Sequence, residues 1–343
     1  MRKYFFSVVT VFLSGILLLA LSEALLRVSG FPPWQPYEDD LNEPTVHEPD
    51  PVLGWKNKAG EYVIPPYAAT GQEIHLTFLP DGTRRTGVKE TEDAIGNELV
   101  IVGGSFTQGL AISDDETYAW KLQERYPESK VMNYGSGAYG TYQSLLVLER
   151  ELPRLKSPTM VLYGFFDHHE ERNVAPGGWL EMLSKLSRRG HVCVPYATLS
   201  DNGSLVRHPP ACYPITPFRE SLSTIAFLDK VYMKITTMKR FDQRRLVTEK
   251  LLVEMQDVCE THGAQFAVVL LTGKEETKRH YADFLKKEGI GVIDCGCDIP
   301  PEMRVPGEGH PNGKMNSRWA ACIAEALGDS IGMRGGSSTV LRE

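Results

Sequence analysis

The sequence predicts an α/β protein in which a central parallel β-sheet is covered by helices on both faces, as a three-layer sandwich. The first observation is an alternation, from residue 98 onward, of short apolar runs with helical segments. This alternation is typical of parallel sheets, because two parallel strands are usually joined by a helix. The second observation is that glycine-rich and polar segments directly follow several of the apolar runs. Ligands bind at that edge of a parallel sheet.

The individual elements follow from the apolar runs and the turn residues between them. Residues 99–102 form a continuous apolar run closed by two glycines, which predicts a buried strand, and a helical stretch around 117–125 follows it. Further strands are predicted at 130–133, 159–163, 266–271 and 291–294, and further helices at 141–155, 275–287 and 316–327.

One main domain with appendages is predicted, since 343 residues can bury one large core or two modest ones. Residues 29–97 are rich in proline and turn residues, which predicts a linker followed by a short β-rich region. The main domain is placed at 98–330, with a loop-rich insertion at 167–219 over one edge of the sheet. Residues 331–343 are predicted to be a flexible tail.

The N-terminus is the strongest compositional outlier in the chain. Arg2 and Lys3 precede an uncharged, apolar run at residues 4–22, which is close to the length that spans a bilayer. The run has no clean small-residue cleavage site after it, so residues 1–28 are predicted to be an uncleaved single-pass anchor. The basic residues before the span place the rest of the chain outside the cytoplasm. A cleaved signal peptide and a buried core helix are the alternatives.

The net charge of the chain limits which classes of partner it is expected to bind. The formal net charge is -7, which argues against a nucleic-acid partner, because phosphates attract a basic surface. Neutral substrates fit this balance better than polyanions. No cofactor is expected.

The six cysteines are an even number, which disulfide pairing outside the cytoplasm would need. Cys193 and Cys212 are predicted to be joined, because the segment between them is loop-like and a bridge would remove much of its unfolded-state entropy. For Cys295 and Cys297 a metal site is disfavoured, since it would need further ligands at regular spacing. Two alternatives stay open for Cys295 and Cys297. They are simply buried as thiols, or they pair with Cys259 or Cys322.

Four segments at the predicted edge of the sheet carry unusual chemistry. The first, at 103–109, places Ser105 after a buried strand and before a helix. We expect a hydroxyl at that bend to be exposed and nearby backbone N–H groups to favour developing negative charge. The alternative is that Ser105 merely caps a helix in a glycine turn.

The other three segments are the glycine-rich 133–143, the polar 164–173 and the turn at 308–312. In the last of them His310 lies beside Glu308, and a histidine next to a carboxylate is what a serine nucleophile needs for activation. The run Asp167-His168-His169-Glu170 is a candidate metal site. We disfavour it, because consecutive residues of an extended chain point to opposite sides.

These four segments, in this order, resemble blocks I, II, III and V of the SGNH (GDSL-like) hydrolases, over residues 99–327. The resemblance implies a flavodoxin-like three-layer sandwich, with Ser105 as the nucleophile and His310 as its general base. It also implies an oxyanion hole made by the N–H of Ser105, a block II backbone N–H and a block III side chain. The family's oxyanion glycine falls at Ala138, whose N–H can serve equally, and its block III asparagine falls at His168.

Two further departures concern acidic residues. Gly104 stands where the family name implies aspartate, a residue that is not the nucleophile. The family's acid lies three residues before the histidine, where this chain has Gly307, so Glu308 is expected to replace it and to stabilise the imidazolium. A Ser–His dyad assisted by a backbone carbonyl is the alternative.

The expected function is that of an extracytoplasmic serine esterase. It would remove an O-acyl group, acetyl first of all, from an envelope or secreted polysaccharide or lipid. Two alternatives stay open. The same Ser–His site can transfer the acyl group to a sugar hydroxyl, or the fold can be retained without catalysis in a polysaccharide-binding or assembly component.

Overall fold

The chain begins with a long apolar helix. The computed structural model describes residues 2–37, 46–69, 71–88, 97–186 and 192–328, so the predicted tail at 331–343 lies outside the described residues. Helix α1 spans Arg2–Val28. Its segment Tyr4–Val28 is long and apolar enough to cross a membrane, and its most apolar stretch is not buried in the protein. A signal sequence would meet the same criteria.

Two antiparallel hairpins follow α1 and pack on the main domain. Their strands are β1 (His47–Asp50) with β2 (Gly54–Asn57), and β3 (Gly60–Ile64) with β4 (Ile74–Phe78). Trp34 and Trp55 are buried in the same hydrophobic core as the main sheet. The described part of residues 29–97 is therefore integrated into the domain rather than a free linker.

The main domain begins with the predicted alternation of strands and helices. Helix α3 (Tyr118–Arg125) is capped by the side chain of Thr117, which accepts a hydrogen bond from the Trp120 N–H, 3.1 Å away. The elements are β5 (Glu98–Gly103), α2 (Ser105–Gln108), α3 (Tyr118–Arg125), β6 (Lys130–Asn133), α4 (Thr141–Glu151) and β7 (Pro158–Phe166).

The segment 167–219, predicted to be loop-rich, instead has regular structure over most of its described residues. Leu180, Val194 and Ala197 are buried in the main core, so this segment packs on the domain as ordinary secondary structure. Its proline and glycine content obscured that pattern in the sequence. The elements are α5 (His169–Val174), α6 (Gly177–Leu186), β8 (Cys193–Leu199) and β9 (Leu205–Cys212).

The C-terminal half completes the sheet after two helices that the sequence analysis did not predict. Its elements are α7 (Ser223–Asp242), α8 (Arg244–Thr261), β10 (Gln265–Thr272), α9 (Glu275–Glu288), β11 (Gly291–Asp294) and α10 (Gly313–Leu327). Helix α9 has Glu275 and Glu276 in its first turn and Lys286 and Lys287 in its last, which complements the helix dipole.

The central sheet has the strand order β11-β10-β7-β5-β6, and every neighbouring pair is parallel. Numbered along the chain and read from the β6 edge, this is the order 2-1-3-4-5 of the flavodoxin-like fold. The predicted fold class is therefore confirmed.

Successive residues of β5 face opposite layers, as the period of two in a strand requires. Val100 and Val102 face the core beneath α4 and α8, whereas Leu99 and Ile101 face the core beneath α3 and α10. The helices thus cover both faces of the sheet, and its carboxyl edge is left to the loops that carry the chemistry.

Two disulfides are present. Cys193 and Cys212 lie opposite each other in the β8–β9 hairpin and are bonded, as predicted. Of the pairings left open, Cys295 is bonded to Cys322, which ties the end of β11 to α10. Cys259 and Cys297 are free thiols, the first of them buried.

Candidate active site

Ser105 lies where β5 ends and the chain turns into α2. It is the first residue of this four-residue helix and is 4% exposed. The helix ends at Gly109, which has a left-handed backbone conformation. This short strand-turn-helix unit holds the hydroxyl at the carboxyl edge of the sheet, beside the ends of β6 and β7.

A buried arginine holds the far end of this turn. The guanidinium of Arg84 donates hydrogen bonds to the backbone carbonyls of Gln108, Gly109 and Ile112, and its Nε lies 2.9 Å from Oδ1 of Asp114. Burial lowers the pKa of Arg84, and the charge of Asp114 opposes that shift. Arg84 therefore fixes the carbonyls that follow the nucleophile. The sequence analysis missed it, because it lies in the segment interpreted as a linker and a short β-rich region.

Ser105, His310 and Glu308 form a hydrogen-bonded triad. Nε2 of His310 lies 2.9 Å from Oγ of Ser105. Its Nδ1 contacts Oε1 of Glu308, and the other carboxylate oxygen accepts the backbone N–H of His310 at 2.7 Å. With the proton on Nδ1 held by the carboxylate, Nε2 is free to accept the serine proton.

Gly307 explains why the acid is displaced to Glu308. Its backbone has φ +83°, and a Cβ there would lie 2.5 Å from the carbonyl oxygen of Tyr67. An aspartate at this position, where the family has its acid, would collide with that backbone. The longer side chain of Glu308 instead folds back to the imidazole from two residues before it.

The loop that carries His310 is tied to the start of α10. The backbone N–H of Val305 donates to the His310 carbonyl at 2.7 Å. Asn312 caps the helix by accepting from the N–H groups of Lys314 and Met315, and its own N–H donates to the carbonyl of Met303. The base is therefore positioned by a closed network of hydrogen bonds rather than by a free loop.

An aromatic cluster packs behind the triad. The ring of Phe106 meets the imidazole of His310 edge-on, with 5.5 Å between the ring centroids. The same ring stacks on Phe166 at 4.5 Å and on Trp319 at 5.8 Å. This packing limits the rotation of the imidazole away from Ser105.

The loop after β6 lies against the nucleophile turn, as expected for the second oxyanion donor. The N–H of Ser136 donates to the carbonyl of Gly103 at 3.1 Å, and Ala138 has a left-handed backbone with φ +66°. Within the described residues, the backbone N–H groups of Ser105 and Ala138 donate to no protein acceptor. Both can therefore donate to a negatively charged oxygen.

The expected third donor, His168, follows the carboxyl end of β7. It is the exposed residue before α5, and its ring packs near Phe166 with the centroids 5.7 Å apart. The role of His168 as an oxyanion donor stays a prediction, and the turn at this point directs the next residue inward. The buried imidazole is that of His169, whose Nδ1 lies 2.6 Å from the hydroxyl of Tyr163.

His169 also accounts for Gly104. A Cβ on Gly104 would lie 2.7 Å from Nε2 of His169 and 3.0 Å from the carbonyl oxygen of Tyr139. The aspartate of the family pattern therefore has no room here. Burial, together with the nearby charges of Arg172 and His168, holds the pKa of His169 well below its usual value, so the ring is neutral at neutral pH.

Arg172 completes the surroundings of the turn. It donates to the Tyr139 carbonyl at 2.9 Å, and its guanidinium lies 5.0 Å from the ring centroid of Phe166 and 4.9 Å from that of Trp179. Burial lowers the pKa of Arg172 to about 10, so it stays positive at neutral pH. The side chains of the segment 167–170, considered above as a metal site, point in different directions. His168 is exposed, His169 is buried, and the Glu170 carboxylate contacts Arg245 and Tyr281.

The chain has low-scoring similarity to solved structures of G-D-S-L and SGNH family proteins. No protein-family model matches the chain, and no curated protein matches it. The structure of TesA has 14% identity and a TM-score of 0.39, covering 68% of this chain and 99% of its own. A G-D-S-L family lipolytic protein from Veillonella parvula has 14% identity and a TM-score of 0.38, covering 67% of this chain and 97% of its own. AlinE4, an SGNH-hydrolase family esterase, has 10% identity and a TM-score of 0.34, covering 68% and 95%.

The order of the strands and the contacts among Ser105, His310 and Glu308 are the main points of similarity to a known family. The sheet has the order 2-1-3-4-5, Ser105 follows the first of its strands, and His310 precedes the last helix. In these respects the chain is similar to the SGNH hydrolases.

Proposed function

We propose that the chain is a serine esterase in which Ser105, His310 and Glu308 carry the reaction. The observation that supports this most directly is the pair of contacts made by the His310 imidazole. One ring nitrogen lies 2.9 Å from the Ser105 hydroxyl, and the other contacts the Glu308 carboxylate. Nucleophile, base and orienting acid are thus aligned in one hydrogen-bonded chain.

In the proposed reaction, Oγ of Ser105 attacks the ester carbonyl carbon while Nε2 of His310 takes the hydroxyl proton. Glu308 stabilises the imidazolium that forms. The tetrahedral oxyanion accepts hydrogen bonds from the N–H groups of Ser105 and Ala138. Its collapse expels the alcohol, which takes the proton from His310, and leaves an acyl-serine. Water, deprotonated by His310, then attacks the acyl carbon. Collapse of the second tetrahedral intermediate breaks the bond to Oγ of Ser105, which takes the proton back from His310, and releases the acid.

The exposed position of His168 supports an oxyanion hole with the two backbone donors as its main members. His168→Ala tests this assignment. Loss of a true oxyanion donor costs about 10²- to 10³-fold in kcat. We expect a far smaller loss, and a loss of that size would return His168 to the oxyanion hole.

We propose that the domain lies outside the cytoplasm and that α1 anchors it. The basic residues before an apolar helix and the two disulfides support this location. The full-length protein should then resist extraction from membranes by high salt and alkaline carbonate. Release of protein with an intact N-terminus would show that α1 is not an anchor.

The substrate class proposed is the O-acyl ester, acetyl first of all, on an envelope or secreted polysaccharide or lipid. These are the esters within reach of a domain held at the outer face of a membrane. We expect the purified full-length protein to react with a fluorophosphonate probe and to hydrolyse p-nitrophenyl acetate faster than the octanoyl ester. Ser105→Ala is the control for both assays. A preference for the longer ester would contradict the short-chain assignment.

The same experiment separates the two alternatives. If the probe labels Ser105 but acetyl passes from the donor to an added sugar hydroxyl faster than to water, the protein is an acyltransferase. If the probe fails to label the folded wild-type protein, the serine is not activated. A binding or assembly component is then the better account.

A further inference from the structure

Helix α7 presents an apolar surface to solvent, where a helix on a soluble domain normally has polar residues. Its opposite side, with Ala226 and Met233, is buried in the domain. From Leu228 onward the outward residues recur at spacings of three and four, and Phe227 lies next to Leu228, so they form one stripe along the helix. We call this stripe the α7 apolar face; it consists of Phe227 (40% exposed), Leu228 (53%), Tyr232 (61%), Ile235 (66%) and Met238 (57%).

The start of α7 is attached to the end of the apolar N-terminal helix. The carboxylate of Glu23 accepts the backbone N–H groups of Ser223 at 3.0 Å and of Thr224 at 2.9 Å. Arg27 donates to the carbonyl of Ser221 at 2.9 Å. These charge-assisted bonds at a helix N-terminus fix the two helices to each other at one point.

Aromatic contacts extend the same junction. The ring of Phe31, three residues beyond α1, meets that of Phe227 edge-on, with 5.6 Å between the centroids. Nζ of Lys230 lies 5.8 Å from the centroid of Phe31. The first member of the α7 apolar face is therefore in direct contact with the segment that leaves α1.

The length of α1 sets the level of this junction. A bilayer core takes about 20 helical residues, so a span counted from Tyr4 ends near Glu23. Glu23 and Arg27 then lie at the headgroup level, and α7 begins there. An apolar stripe at that depth has a natural counterpart in the boundary between headgroups and acyl chains.

The charges beside the stripe fit an anionic surface. Lys230, Lys234 and Lys239 are exposed on α7, and one exposed acidic residue, Asp242, ends the helix. The acidic Asp229 is turned inward, where Oδ1 accepts the hydroxyl of Thr216 at 2.6 Å. Lysines that flank an apolar stripe can extend toward lipid phosphates while their aliphatic stems cover apolar surface.

We propose that the α7 apolar face lies in the headgroup region of the membrane that α1 spans, as a second and interfacial contact. A single-pass helix alone leaves the domain free to tilt and rotate about its tether. With α7 on the surface, the sheet and the loop edge bearing Ser105 keep one orientation to the bilayer. The inference rests on the proposed anchor and is independent of the reaction at Ser105.

The test uses the full-length protein in nanodiscs that contain anionic phosphatidylglycerol. A nitroxide is attached at Ile235→Cys, with Lys287→Cys as the matched control on α9, whose side chain is 81% exposed. Unaltered protein measures labelling of the free Cys259 and Cys297. Collision with oxygen, which concentrates in lipid, is compared with collision with a water-soluble nickel chelate.

We expect the accessibility ratio at Ile235→Cys to shift toward oxygen, whereas the label at Lys287→Cys stays accessible to nickel. An aqueous signal at both sites would overturn the proposal. Exclusion of both reagents at Ile235→Cys would overturn it as well, because the face would then be covered by protein, such as a second copy of this chain. Co-elution of protein with nanodiscs reports the anchor by itself, so failure of the anchor is distinguishable from failure of the α7 contact.

Discussion

Glu308 binds His310 twice, through the Nδ1 edge of its imidazole and through its backbone N–H, the latter at 2.7 Å. One carboxylate therefore sets both the tautomer of the base and the turn that presents it. This double contact replaces the geometry that an aspartate at position 307 would provide. Substitution of each of the three residues in turn then measures its contribution to the reaction.

The nucleophile and the base should be indispensable. Ser105→Ala and His310→Ala each remove a group for which the site has no substitute, so we expect losses of several orders of magnitude in kcat/KM. Hydrolysis of p-nitrophenyl acetate after background subtraction and fluorophosphonate labelling measure this, and circular dichroism checks that the fold is kept. Wild-type hydrolysis by Ser105→Ala would refute the esterase proposal.

Glu308 should matter less than the base that it orients. Glu308→Gln keeps a hydrogen-bonding side chain of the same length but removes the charge that stabilises the imidazolium. We expect a loss between about tenfold and ten-thousandfold in kcat, with measurable esterase activity remaining. A loss as complete as that of His310→Ala would mean that Glu308 is needed to hold the loop as well as the charge. Activity equal to wild type would favour the Ser–His dyad.

Arg84 should be a major source of stability around the nucleophile turn. Arg84→Met removes a buried guanidinium, leaves three carbonyls without its hydrogen bonds and leaves the Asp114 carboxylate without its charged partner, although the Thr77 N–H still donates to it. Breaking a buried pair in this way costs about 3 to 5 kcal/mol in the free energy of unfolding. Arg85→Met is the matched control, because the Arg85 guanidinium makes a solvent-exposed pair with Glu61 at 3.3 Å, worth at most about 1 kcal/mol. Urea unfolding of both variants gives the comparison; equal losses would show that Arg84 has no special role.

The buried His169 should make stability depend on pH. Its pKa is lowered in the folded state, so between that lowered value and the unfolded value of 6.5 the unfolded chain binds more protons. Stability should therefore fall as pH drops below 6.5, by up to about 1.4 kcal/mol per pH unit from this group. His169→Asn should flatten that dependence in urea unfolding. A slope equal to that of the unaltered protein would mean that His169 is not the group responsible.

The disulfides give a prediction that needs no mutation. Alkylation of denatured, unreduced protein should modify only Cys259 and Cys297 among the six cysteines, while Cys193 stays linked to Cys212 and Cys295 to Cys322. Mass spectrometry of non-reduced peptides identifies the pairs. Recovery of Cys193 and Cys212 as alkylated thiols would remove one support for an oxidising compartment.

Local patterns in the sequence were enough to predict the alternation of strands and helices, and with it the parallel sheet. A strand such as 99–102 is recognisable because burial on both faces demands a continuous apolar run. That Ser105 and His310 lie at the same edge of the sheet was predictable for a related reason. Ser105 follows a strand and His310 precedes a helix, and the carboxyl ends of parallel strands converge on one edge.

Contacts between residues far apart in the chain were decided only by the tertiary structure. Whether Arg84 holds the nucleophile turn, whether Cys295 pairs with Cys322, and whether His168 or its neighbour faces inward all depend on how remote segments pack. The attachment of Glu23 to the start of α7 joins residues 200 positions apart. Such relationships have no local signature, because their free energy comes from burial and hydrogen bonds that exist only once the chain is folded.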